Sequence, residues 1–302
     1  MLYSKPALDV PAQISLLENR GLVIQDRTRA ADYLANIGYY RLRAYTYPFQ
    51  NIQDPGHPFK EGVSFEDVIS LYVFDRRLRL LLLNALEKIE VAFRAKIIFN
   101  WATAHGSHWC EILSLYRDST RFQKDINQLH DEIDRSKEAF IVDYKNKYTQ
   151  PMYPPCWMSL EVASFGLLSR IFENLAKGNA KNNVTRGFGL QNYDVMESWM
   201  HAFAALRNLC AHHSRIWNRT FVITPRKLAN PIHDFLINTK VGSDKLYYQL
   251  SGIAYILHII SPGHDFIHRL KDLFKETPIV NSSDIGFPQD WENEPLWKKN
   301  SV

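Results

Sequence analysis

A chain of 302 residues, 46% hydrophobic and 23% charged, is long enough to bury a large core, and its aromatic content argues against disorder. A net charge of +4 permits an anionic partner without demanding one. Three cysteines, Cys110, Cys156 and Cys210, are odd in number and widely spaced, which argues against a disulfide framework and fits a reducing compartment.

Helical periodicity dominates the chain. Met1–Asp9 holds no apolar run of signal-peptide length, so the expected location is cytoplasmic. Ala12–Asn19 and Arg29–Ile37 read as two short helices. Gln53–Gly62, with Pro55, Gly56, Pro58 and Gly62, reads as a linker. A long helix follows, from Ser64 to just before Gly106, and Ser64 with Asp67 forms a variant of the capping box. Its apolar stripe runs through Val68, Leu71, Phe74, Leu78, Ile89, Phe93 and Ile97, which leaves Asp75, Arg76 and Arg79 for the opposite side. Phe122–Tyr148 is a second charged helical region, and Trp157–Ala176 a third helix, kinked near Ser164-Phe165-Gly166. Tyr193–Trp217 is a fourth, with Met196, Trp199, Met200, Phe203, Leu206 and Cys210 as its stripe. Lys245–Ile260 and Phe266–Phe274 are further helices, and the tail from Pro278 is expected to be extended. Strand signals are weak, and no apolar run is long enough to span a bilayer. The expected fold is all-α, a helical bundle built on Ser64–Trp217 with helical additions at both ends. The expected division is an N-terminal helical region over 1–60, a helical domain over 61–275 and a tail over 276–302.

The most informative segment is Arg207-Asn208-Leu209-Cys210-Ala211-His212-His213. It places a permanent cation, an amide and a titratable imidazole close together, which suits phosphodiester chemistry. In a straight helix Asn208 and His212 share a face, but Arg207 and His212 diverge by roughly 140°. Either the helix distorts near Cys210, or a second copy brings its own Arg and His across a symmetric interface. RNA carries its own nucleophile, the 2′-OH, so a His to move protons and an Arg to stabilise phosphoryl charge suffice, with no metal or other cofactor required. An Arg and a His near a helix C-terminus also simply favour the helix dipole.

The run Leu206-Arg-Asn-Leu-Cys-Ala-His-His-Ser-Arg-Ile-Trp-Asn-Arg219 resembles the signature of the Abi-like proteins of the AbiD/AbiF type, bacterial phage-resistance proteins. Gly21-Leu-Val-Ile24, Ile37-Gly-Tyr-Tyr-Arg-Leu-Arg-Ala-Tyr45, Leu71-Tyr-Val-Phe-Asp-Arg-Arg-Leu-Arg79, Ile89-Glu-Val-Ala-Phe-Arg94, Pro154-Pro-Cys-Trp157 and Ser164-Phe-Gly166 resemble further blocks of that family, in order. The resemblance implies a HEPN-type helical domain whose R-x4-6-H motif is an RNase active site, acting as a dimer in abortive infection. It implies Arg207 and His212 as the catalytic pair and Asn208 as the polar position after the Arg. It also implies a structured small RNA that restrains the toxin.

Other residues extend the candidate site. Glu90 and Arg94, one turn apart on the long helix, are read as facing the Arg-Asn-His helix, or else as a surface pair of little energetic value. Tyr40, Arg41 and Arg43 interleave aromatic and guanidinium groups, which suits single-stranded RNA; the alternative is a helix with its aromatics in the core. Arg27 and Arg29 would extend that basic surface. His213 is expected beside the site or on RNA, and Arg215 and Arg219 on phosphate or a partner chain. His105, His108 and Cys110 have ligand chemistry at close spacing, but nothing in the sequence demands the fourth donor of a zinc site. The leading expectation is therefore a metal-independent endoribonuclease toxin. The competing ones are a non-catalytic RNA- or protein-binding module and a DNA-binding regulator that uses the N-terminal helix pair.

Overall fold

The structure, a computed structural model, describes Leu2 and residues 6–298. It is all-α, and no strand occurs among the described residues. The helices are α1 (Val10–Asn19), α2 (Arg27–Ile37), α3 (Tyr39–Thr46), α4 (Phe65–His105), α5 (Ser119–Arg135), α6 (Ala139–Lys147), α7 (Cys156–Ser159), α8 (Phe165–Asn174), α9 (Asn179–Arg186), α10 (Tyr193–Ala211), α11 (Leu246–Ile260), α12 (Phe266–Lys275) and α13 (Pro295–Lys298).

The chain divides into two compact units, Met1–Leu78 with Lys271–Asn281, and Arg79–Leu270 with Ser282–Val302. In the first, α1 and α2 start on carboxylate caps: Asp9 accepts from the Ala12 N–H at 2.8 Å and Asp26 from the Arg29 N–H at 2.9 Å. The expected capping box of α4 forms, since the Ser64 N–H donates to Asp67 at 2.8 Å and the Asp67 N–H to Ser64 Oγ at 3.3 Å. Tyr45 donates its hydroxyl to Asp75 at 2.6 Å, and Phe74 packs on Phe274.

In the second unit α10 packs on α8, α9 and α11. Its buried stripe of Met196, Trp199, Met200, Phe203, Leu206 and Cys210 is the one the spacing predicts. From α4, Phe93 sits amid Phe165, Phe172 and Phe188, with ring centroids 5.1–6.3 Å away.

Several expectations need correction. Asp75 and Arg79 are buried, not solvent-facing, because their polar heads meet partners far away in sequence. The 122–148 region is two helices, α5 and α6, separated at Ser136–Glu138. The α10 helix ends at Ala211 and not at Trp217. The tail is not extended: it forms short helical turns and buries Ile285, Phe287 and Trp297, with Tyr247 stacked on Trp297. Three apolar side chains within thirteen residues explain this, since each gains more buried than in water. The last four residues of the expected tail lie outside the described residues.

Candidate active site

The C-terminal end of α10 carries Arg207, Asn208 and His212. The helix closes in a Schellman turn: His213 N–H donates to the Cys210 carbonyl at 3.0 Å, and Ser214 N–H to the Leu209 carbonyl at 2.9 Å. The residue at the left-handed position is His213, with φ +57°. Glycine normally fills that position, so a histidine there stores local backbone strain. The helix thus ends on His212, the capping residue, whose side chain is exposed.

The turn is held from α4. Buried Arg79 donates from Nη1 to the Ser214 carbonyl at 3.5 Å. Sequence reasoning missed this contact. The available signal was an arginine immediately beside the apolar stripe, at Leu78-Arg79.

Glu90 does face α10. Its Oε2 lies 3.6 Å from Arg207 Nη2, while Oε1 accepts from Arg94 Nη2 at 3.0 Å. Arg94 also donates to the Ala163 carbonyl at 2.9 Å and lies 3.8 Å from Glu161. One buried carboxylate is therefore shared by two guanidinium groups, and the loop before α8 fixes the second of them. Arg207 Nη1 donates to Asn208 Oδ1 at 3.3 Å. Guanidinium only donates, so Asn208 must present its carbonyl to Arg207 and keeps its N–H2 for another acceptor.

Asn208 and His212 line a groove of about 270 Å³ together with Arg219 and the apolar Leu206, Leu209 and Phe221. Arg207 is not among the lining residues. No hydrogen bond or ion pair joins Arg207 to His212 among the described residues, and His212 lies just past the last helical residue, Ala211. Asn208 is the residue that touches both sides. Arg219 Nη1 donates to the Arg215 carbonyl at 3.3 Å, which fixes its head at the groove.

The first unit holds the other candidates. Tyr40 is 88% exposed, Arg41 is exposed, and Arg43 lies over the Tyr47 ring at 5.5 Å. Arg29 pairs with Glu66 at 2.9 Å and Arg27 with Glu18 at 3.5 Å, so acids partly offset the expected extension of the basic surface.

His105 is exposed, His108 contacts Ser107 Oγ at 2.9 Å and the Tyr153 carbonyl at 3.3 Å, and Cys110 is buried with its N–H on Cys156 Sγ at 3.0 Å. Among the described residues no three His, Cys, Asp or Glu side chains gather to hold a metal ion.

The family model described as Abi-like protein matches residues 32–218, more than half of the chain. The chain belongs to the Abi-like family. This ties it to abortive infection, the defence of bacteria against phage. The match takes in every candidate residue from Tyr40 to Arg215 and stops one residue before Arg219. No curated protein and no solved structure matches this Abi-like protein. Among its described residues, no helix is long and apolar enough to cross a membrane.

Proposed function

We propose that this Abi-like protein is an endoribonuclease that cuts RNA without a metal ion. The 2′-OH attacks the adjacent phosphorus and the bond to the 5′-oxygen breaks, leaving a 2′,3′-cyclic phosphate and a 5′-OH. His212 transfers the proton, Arg207 stabilises the charge that builds on the phosphoryl oxygens, and Asn208 orients Arg207. The observation that carries this reading is the exposed imidazole of His212 at a strained helix end, one turn from an amide bonded to a half-exposed arginine. The 3.6 Å distance to Glu90 is too long for a tight ion pair, so Arg207 is oriented yet available to phosphate.

Arg207 lies 3.6 Å from Glu90 of α4, while His212 lines the groove, so within one copy the two have different neighbours. A second copy across a two-fold axis would offer one phosphate an Arg207 from one chain and a His212 from the other, and the active form is proposed as a homodimer. The resemblance to AbiD/AbiF-type proteins supports a HEPN-type domain, a toxin role and a restraining small RNA.

The test is incubation of the purified protein with RNA in EDTA. The expected result is products ending in 2′,3′-cyclic phosphate. His212→Ala should slow cleavage by ~10²–10⁴-fold with helical content unchanged, and it should relieve the growth arrest caused by expression. Intact RNA with the wild-type protein, or full toxicity of a well-expressed His212→Ala variant, would favour a non-catalytic RNA-binding module.

A further inference from the structure

We infer that the groove beside His212 is a slot for one nucleobase of unpaired RNA. The inference rests on the endoribonuclease reading of the same site and specifies the form of RNA that the site accepts.

The groove has two kinds of lining. Its walls are apolar, from Ala205, Leu209 and Phe221, and its mouth carries Val222, 98% exposed, and Ile223, 41% exposed. Its rim is polar, from Asn208, His212 and Arg219. A nucleobase matches both: its flat faces are apolar and its edge is polar, while the flanking phosphates are anionic. Asn208 has committed its carbonyl to Arg207, so it offers donors to the groove. Arg219, anchored by the Arg215 carbonyl, adds a fixed positive charge at the rim. Apolar walls with a cationic, donor-bearing rim complement a base on its phosphate chain. They do not complement an apolar peptide, for which the rim charge has no partner. In a duplex the base faces are covered by stacking, so the slot takes a base only from an unpaired strand.

The slot also aligns the chemistry. A base held between Leu209 and Phe221 brings its own phosphate beside His212, on the side of α10 that Arg207 does not reach.

The experiment uses single-stranded RNA oligonucleotides, 2′-O-methylated so that they cannot be cut, with one abasic nucleotide moved along the sequence. Fluorescence anisotropy reads affinity, and unmodified oligonucleotides in EDTA read cleavage in parallel. One abasic position, next to the cleaved phosphate, should weaken binding by about tenfold or more, and the others by less than about twofold. Ala205→Leu fills the slot and should give the same loss, with no further loss from the abasic position. Val222→Asp alters a fully exposed residue, so the fold survives, and it should weaken binding as well. Uniform sensitivity along the strand, or wild-type affinity in both variants, overturns the slot. RNA cut without any position-dependent loss ends the slot and leaves the nuclease. A position-dependent loss of binding with no cleavage leaves the slot and ends the nuclease.

Discussion

The two halves of α10 each carry a charge paired with a neighbouring element, and they do so in opposite ways. Toward the N-terminus, Glu197 meets Lys181 of α9 at 2.6 Å, and the lysine side chain is 0% exposed. The other two ammonium protons of Lys181 go to the carbonyls of Glu173 at 3.0 Å and Leu175 at 2.7 Å. At the C-terminal end, Arg207 is 36% exposed and stands 3.6 Å from Glu90. A lysine with all three protons engaged has no capacity for a ligand. Its role is to join the ends of α8 and α9 to α10. An arginine held loosely at the surface retains donors for phosphate. Tight burial thus marks the structural charge, and incomplete pairing marks the one available for chemistry.

The strongest way to break this comparison is Lys181→Met. It leaves Glu197 with Arg117 at 3.1 Å as its remaining cation and strips two carbonyls of their donor. The expected cost is about 3–5 kcal/mol in urea unfolding, with cleavage unchanged under conditions where the variant stays folded. A loss below about 1 kcal/mol would put the buried pair in the class of surface pairs, and the contrast between the two ends would collapse.

Arg207→Lys sharpens the other side. The charge stays but the planar fork is lost. Cleavage should fall by about 10²-fold, while RNA affinity and melting temperature stay near wild type. Near-normal cleavage in this variant would show that Arg207 does not clamp the transition state. A fall in melting temperature instead would make it a structural residue like Lys181.

Much of this was legible in the sequence, and the gaps have physical causes. The capping box at Ser64 and the stripes of α4 and α10 are local patterns, and they were readable because helical periodicity is itself local. Glu90 sits at the border of the α4 stripe, which leaves both a contact with α10 and a surface pair with Arg94 open, and the 3.6 Å approach to Arg207 decides for the first. The α9 helix is not legible because Asn179-Ala-Lys-Asn-Asn-Val-Thr-Arg186 is poor in strong helix formers and its buried cation looks like a solvated one. Asp75 and Arg79 read as residues of the polar side for a related reason: their partners, Tyr45 and Ser214, are 30 and 135 residues away. The sequence pattern carries α10 past its true end because no glycine marks that end, and His213 takes the left-handed position instead. The groove could not be seen at all, since Phe221–Ile223 reaches α10 only through tertiary folding.

The smallest expected effect is a pH dependence confined to the buried end. Burial lowers the Lys181 ammonium from its ordinary 10.5 to about 8, although Glu197 pulls the other way. Between those two values the unfolded chain holds a proton that the folded chain has released. Stability contributed by this group therefore rises as pH climbs through the window, because the folded state no longer buries a charge. The neutral amine still donates to both carbonyls, so the hydrogen bonds of the ends of α8 and α9 survive the loss of charge. From pH 8 to pH 9 the gain should be about 1 kcal/mol at most. Other groups titrate in the same range, so the measurement is the difference in urea stability between wild type and Lys181→Met at each pH. That difference should grow with pH over this interval. Parallel curves would mean that Glu197 holds Lys181 charged throughout, and that desolvation does not dominate even at this fully buried lysine.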